Sequence, residues 1–310
     1  MHLRRFGRLA TFAGIWTFLL IVFGGIVRIT GSGMGCGDHW PKCNGSWIPP
    51  FTLETLIEYT HRVLGVSIGL ILIGVFLYAL KHRNEPGFSG RDGVLRYAAV
   101  VLVLVVVQGL LGAITVWFEI PPAVVVVHFA TALTIMAILL AAGVTAKAGS
   151  QSSRSAGGQV GPTVVGQTLD ERRARLVAFF VFATVVFGAL TANNLGAPQA
   201  CQGFPLCNGG LLPRGGSLVH IQWTHRFLAY VTFFIVLVQA QRAWRGGGST
   251  KLRRTALAAA LIVTLQVVVA AGLILMHLPR GMQAMHLAVG ALLWAHAVLW
   301  YSHARNHYST

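Results

Sequence analysis

The sequence predicts an all-α integral membrane protein of eight transmembrane helices, arranged as two parallel-repeat four-helix bundles. Three observations carry this expectation: an excess of apolar residues, eight long stretches almost free of charge, and an order of cysteines and histidines that occurs twice. Of 310 residues, 55% are apolar and 10% charged, against about 25% charged in an average soluble domain. A soluble fold cannot cover that much hydrocarbon, whereas a bilayer can.

The apolar runs are approximately Leu9–Ile29, Arg62–Leu80, Tyr97–Phe118, Ala123–Ala146, Leu176–Ala192, His225–Ala240, Thr255–Met276 and Met282–Trp300. Most reach the roughly 20 residues that a helix needs to cross the hydrocarbon. The sixth is shortest and is expected to borrow a turn from Val219–Thr224. Arg4, Arg5 and Arg8 precede the first run as they would a signal peptide, but its apolar part is too long and no small-residue cleavage site follows. It reads as a retained helix.

The net charge of +16 would suit a nucleic-acid binder if it were clustered on a soluble surface. Instead, Arg4, Arg5, Arg8, the Lys81–Arg96 loop, Lys147–Arg175, Arg242–Arg254 and Arg305 fall on one side of an eight-helix chain and hold 18 of the 24 basic residues. This is the positive-inside pattern, so both termini are expected in the cytoplasm of a plasma-membrane protein. The charge then serves topology and anionic lipid heads rather than DNA.

The repeat is built from four landmarks. "GCGDHWPKCNG" (35–45) and "ACQGFPLCNG" (200–209) hold all four cysteines, and eighteen residues separate Cys43 from His61 and Cys207 from His225. Gln108 lies twenty residues before His128, and Gln266 twenty before His286. The expected division is an N-terminal half over 1–146, a Gly-, Ser- and Gln-rich cytoplasmic linker over 147–175, and a C-terminal half over 176–310. Both halves begin on the cytoplasmic side, which makes them parallel repeats about an axis along the membrane normal.

This topology puts both cysteine loops outside, in an oxidising compartment where Cys36–Cys43 and Cys201–Cys207 are expected to pair. Each pair reads either as a loop staple or as a dithiol that exchanges with a partner; neither has the C-x-x-C spacing. His61, His128, His225 and His286 all fall near the outer end of an even-numbered helix. An ionisable residue in a membrane is costly and marks function by default, and four at matched positions argue against chance interfacial histidines. Two histidines facing across a four-helix bundle suit axial ligation of haem iron, so two pairs imply two haem sites. Zinc fits less well, since no further ligands stand at zinc-site spacing.

The repeat breaks at one informative place. "EYTHR" (58–62) puts Glu58 one helical turn before His61, whereas "QWTHR" (222–226) puts uncharged Gln222 before His225. One reading is that only the N-terminal half does chemistry; the other is that Glu58 merely pairs with a neighbour such as Arg62.

Eight helices in two repeats, the loop "TGSGMGCGDHWPKCNG" (30–45), the two "THR" segments and the partners His128 and His286 together resemble the haem A synthase family, over about residues 9–303. The resemblance implies oxidation of one methyl of haem O to a formyl group, giving haem A for terminal oxidases. It implies haem b on His225 and His286 as an electron carrier, and haem O in a site framed by His61 and His128, with Glu58 beside that site. Arg62 and Arg226 are candidates for haem propionates or for interfacial snorkelling. Expected partners are membrane lipid, haem O, the enzyme that makes it and an electron partner of unidentified kind; an oligomer is compatible with the sequence. A di-haem cytochrome b explains the histidines but not Glu58 or the cysteines, and a membrane thiol oxidoreductase explains the cysteines alone.

Overall fold

A computed structural model of the protein describes residues 1–90, 93–152, 164–246 and 250–306. Its helices are α1 (His2–Thr30), α2 (Leu53–Lys81), α3 (Val94–Trp117), α4 (Pro122–Ser152), α5 (Val164–Asn193), α6 (Ser217–Arg245), α7 (Thr250–Leu275) and α8 (Arg280–Asn306). All eight are long and apolar enough to cross a membrane. Leu70, Val103, Phe179, Phe234 and Leu261 stand exposed around the outside, where only hydrocarbon would cover them without cost. The protein is a multi-pass membrane protein.

The helices are longer than the uncharged runs, because polar residues at each end continue the same backbone ladder. Thr52 caps α2, its hydroxyl accepting the Thr55 N–H, so Glu58 and His61 sit well inside the helix rather than at its start. α6 starts at Ser217, two turns before His225, and so gains more than the single turn expected of it. Helical structure also enters the 147–175 segment from both sides, since α4 ends at Ser152 and α5 starts at Val164. Residues 153–163 of that segment lie outside the described residues.

Among residues 2–152, α1 packs on α2 and α4, and α3 packs on the same two helices. Among residues 164–306, α5 packs on α6 and α8, and α7 on the same two. α4 and α1 meet α8, and α4 meets α5. Ile21, Leu133 and Met136 share one buried cluster with Val177, Val181 and Trp300. There the Trp294 indole donates to the Leu133 carbonyl at 3.0 Å. The α1–α4 seam is lined by buried Gly7, Ala10, Ala13, Gly14, Ala142 and Ala146, small residues that let two helices approach where no hydrophobic effect drives them together.

Both cysteine pairs are disulfides, and among the described residues no cysteine is free. The turns that end α3 and α7 also match. Glu119 and Ile120 adopt φ of 54° and 62°, His277 and Leu278 φ of 61° and 63°, and in each turn the second residue donates to a carbonyl five residues back. His277 is thus a turn residue.

Gly35 carries the tightest approach in the first loop, where a Cβ would stand 2.4 Å from the Glu54 carbonyl oxygen. Gly35→Ala must push α2 and the loop apart, and overpacking of this kind costs about 1–3 kcal/mol. A thermal unfolding assay in detergent should show Gly35→Ala several degrees less stable than the parent. Gly65→Ala, where a Cβ meets nothing within 4 Å, should leave the transition unchanged.

Candidate functional site

The cysteine loops are held down by the helices that follow them. The Cys36 N–H donates to Glu58 Oε2 at 2.8 Å, while Glu58 Oε1 accepts from Nε and Nη2 of Arg62. Arg62 Nη1 then donates to the carbonyls of His39 and Lys42 at 2.7 and 2.8 Å, both within the ring closed by the disulfide. Asn44, at φ 51°, donates its N–H to the Cys36 carbonyl at 2.9 Å. The loop is therefore bonded to one turn of α2, and that turn ends at His61.

The second loop repeats this frame with an amide in place of the carboxylate. Gln222 Oε1 accepts the Cys201 N–H, and its Nε2 donates to the Pro198 carbonyl at 2.9 Å. With no carboxylate beside it, Arg226 turns Nη2 to the buried Cys201 carbonyl at 2.6 Å, and Nη1 serves Gly203 and Leu206 at 2.8 Å each. Glu58 and Gln222 are buried to the same degree, each 4% exposed. Both arginines were read from sequence as candidates for propionates or for snorkelling; Arg226 gives its bonds to loop carbonyls, and Arg62 divides its own between Glu58 and two loop carbonyls. The pairing of Glu58 with Arg62, one of the two sequence readings, is present. The four cysteines are themselves buried, which suits a staple rather than a dithiol that meets a partner.

One turn inward lie the histidines. The rings of His225 and His286 face each other at a centroid distance of 6.5 Å and an interplanar angle of 88°. His61 and His128 lie within electrostatic reach of one another across the other helix set. Nδ1 of His61, His128 and His225 is buried with no hydrogen-bond partner, as are Oε1 of Gln108 and Gln266. Gln266 Nε2 donates to the His286 carbonyl at 3.1 Å and sits 3.1 Å from its Nδ1. A buried polar atom without a partner costs roughly 1–3 kcal/mol, so several of them around paired imidazoles mark a place built for something other than packing.

Two groups of residues escaped the sequence reading. Gly24 of α1 and Gly188 of α5 face the histidine rings, where a Cβ would come within 3.1 Å of His61 and 2.7 Å of His225. The signal was available, since both glycines precede their histidine by 37 residues. Arg28, near the end of α1, is the second. Its Nη1 donates to the Ala192 carbonyl at 3.1 Å and its Nη2 approaches Gln283 Oε1 at 3.5 Å, so it ties α1 to α5 and α8. Away from these pairs, His2 stacks on His82 at 4.1 Å, and His82 Nδ1 meets Glu85 at 2.8 Å.

The frame predicts how the second loop responds to damage. Arg226→Leu strands the buried Cys201 carbonyl and removes three charge-assisted bonds, each worth about 1.5–3 kcal/mol at most. Cys201–Cys207 should then be reduced and alkylated at reductant concentrations that leave Cys36–Cys43 intact, as mass spectrometry of the labelled peptides would show. Equal protection of both disulfides would refute this role for Arg226.

Comparison with known proteins places this geometry. The family model COX15-CtaA, described as cytochrome oxidase assembly protein, matches residues 7–55 and 50–298. A haem A synthase of Alkalihalophilus pseudofirmus is 30% identical over 246 residues, covering 77% of this chain and 76% of that one. A haem A synthase of Symbiobacterium thermophilum is 29% identical over 280 residues, 89% of this chain and 88% of its own. A protoheme IX farnesyltransferase of Thermus thermophilus is 43% identical over 105 residues, which are 34% of this chain and 16% of that protein. With the family model spanning nearly the whole chain and a relative aligned over three quarters of it, the chain belongs to the COX15-CtaA family of cytochrome oxidase assembly proteins.

Proposed function

We propose that the protein is a haem A synthase, which oxidises one methyl group of haem O to a formyl group to give haem A for terminal oxidases. The curated relatives named haem A synthase support this. The observation that carries the assignment to residues is the single chemical difference between two otherwise matched sites, Glu58 against Gln222.

The residues fit haem. Two metal–imidazole bonds of about 2 Å, with half a ring on each side, come to roughly the 6.5 Å that separates His225 from His286. In this reading His225 and His286 hold haem b as an electron carrier, while His61 and His128 frame haem O as substrate. Bound haem b supplies one-electron chemistry at a potential its axial ligands set. Gly24 and Gly188 keep the flanking helix clear of the imidazoles. The halves are 1–146 and 176–310, joined by the 147–175 linker, with both termini cytoplasmic and the cysteine loops outside; the distribution of basic residues supports this orientation. An electron partner and the enzyme that makes haem O complete the set, and the Thermus thermophilus relative bearing the farnesyltransferase name supports that second association.

Glu58 is the proposed catalytic residue. With water as the oxygen source, the methyl group is oxidised to the alcohol and the alcohol to a geminal diol. Each oxidation yields two electrons, which go to the electron partner, and two protons; the diol then loses water to give the formyl group. A carboxylate one turn from His61 accepts or orients the protons; Gln222, an amide, does neither. Arg62 aims Glu58 through its Nε and Nη2, and leaves little of its own fork for a propionate. Arg226 retains its Nε for one.

Gln222 already shows an amide receiving a cysteine N–H in this frame, so Glu58→Gln should fold, keep its disulfide and keep haem b. Losing the proton acceptor costs about two to four powers of ten in rate. Pigment extraction from cells carrying Glu58→Gln should find haem O or the partly oxidised alcohol with little haem A. Normal haem A at normal protein level would leave Glu58 with the loop-holding role alone.

The haem b assignment has a separate check. His225→Ala or His286→Ala removes one axial bond that apolar neighbours cannot replace, so the low-spin spectrum should turn high-spin or vanish. An unchanged low-spin haem in both variants would refute the pair.

A further inference from the structure

At the outer end of the N-terminal half a groove of about 400 Å³ is lined by Asp38, His39, Trp40, Pro41, Lys42, Trp47 and Trp117. Its walls are held in place from behind. The His39 and Lys42 carbonyls are bonded to Arg62, the Trp47 carbonyl accepts from the Tyr59 hydroxyl at 2.8 Å, and Trp40 packs edge-on against Trp117 at 6.1 Å. The tryptophans remain open on the other side, at 38, 64 and 52% exposure for Trp40, Trp47 and Trp117.

The C-terminal half has the same frame with different walls. Counting from the second cysteine of each loop and from Gln108 and Gln266, Phe204 stands where Trp40 does, Leu206 for Lys42, Leu211 for Trp47 and Leu275 for Trp117. The frame bond survives the change of wall, since the Leu211 carbonyl accepts from the Trp223 indole at 2.8 Å. An aromatic belt that anchors a protein in the lipid interface would be expected at the same depth in both halves. Three tryptophans and a lysine in one half, against Phe and three leucines in the other, point to a ligand that only one half must take up and release.

We propose that this groove receives the substrate haem on its way to His61 and His128, an inference that rests on the N-terminal half being the substrate half. The macrocycle is a broad aromatic plane, for which tryptophan faces and edges are suitable walls. Its carboxylates are complementary to the Lys42 ammonium, which lies 5.8 Å from the Trp47 ring centre. The acidic lining residue, Asp38, is turned to the His39 ring at 3.3 Å. The groove is tied to the site through Arg62, which bonds the His39 and Lys42 carbonyls and directly follows His61 in α2.

The test substitutes the residues of the other half, which the shared frame tolerates: Lys42→Leu, Trp47→Leu and Trp117→Leu, with Lys42→Arg as the conservative control. In purified holoenzyme, Lys42→Leu and Trp117→Leu should each raise KM for haem O about tenfold, the loss of one good contact, with kcat within twofold. Lys42→Arg should restore KM. Lys42→Leu keeps every tryptophan, so quenching of tryptophan fluorescence on titration with haem O in detergent gives a second readout, and its midpoint should shift with KM. The haem b spectrum should not change. Unchanged KM and quenching in the triple leucine variant would overturn the proposal, as would a fall in kcat at constant KM. Failure of the underlying reading looks different: haem A formation would persist in His61→Ala, whatever the groove variants do.

Discussion

The hydrogen bond from the first cysteine of each loop to the side chain at position 58 or 222 fixes most of what surrounds the sites. It joins an extramembrane ring to the turn of helix that presents the histidine. Neither partner can be replaced without loss. The N–H is buried, the acceptor is 4% exposed in both halves, and a buried donor left alone costs free energy comparable to the bond itself. The disulfide closes the ring and the arginine one turn on grips its carbonyls, so loop and helix move as one body. Residue 58 therefore has two duties, to hold the loop and to present whatever chemistry its side chain has. Residue 222 has only the first.

Much of this was legible in the sequence because the two strongest constraints act on residue type. Hydrocarbon requires long uncharged runs, and all eight were found, though their polar ends were not; those ends are set by caps and loop contacts such as Thr52. The matched positions of His61, His128, His225 and His286 were legible because ionisable residues are scarce in such segments. Gly24 and Gly188 were hidden, since a glycine in an apolar run has many explanations and only its distance from a histidine ring selects one. The direction of Arg62 and Arg226 was equally hidden. A guanidinium beside a ligand suits a carboxylate as well as a backbone carbonyl, and only the positions of His39, Lys42, Gly203 and Leu206 decide between them.

The substitution of Glu58 by Gln222 between halves separates structure from chemistry within one molecule. Both side chains accept the cysteine N–H through an oxygen of the same reach. The amide adds a donor, which finds the Pro198 carbonyl; the carboxylate adds a charge, which finds Arg62. A buried ion pair is weak evidence for stability, because desolvation consumes much of the attraction. The second half holds its loop without one. The charge at 58 is thus not required by the fold, and its retention in a membrane protein calls for a use that an amide cannot serve.

The same logic extends outward along the loop. At the matching places the C-terminal loop carries Phe204, Leu206 and Leu211, with no ammonium among them. A substrate that arrives and a product that leaves need a surface that binds the ligand weakly while still in contact with the outside. Stacking on exposed tryptophans and a single ammonium is of that strength: each contact is worth a little, and none is buried enough to hold the ligand fast. The differences between the halves then lie at Lys42 and the tryptophans at the mouth and at Glu58 within, around His61 and Arg62, which both halves share. On the proposed function, this is how one frame, present twice, retains a cofactor in one copy and turns over a close chemical relative of it in the other.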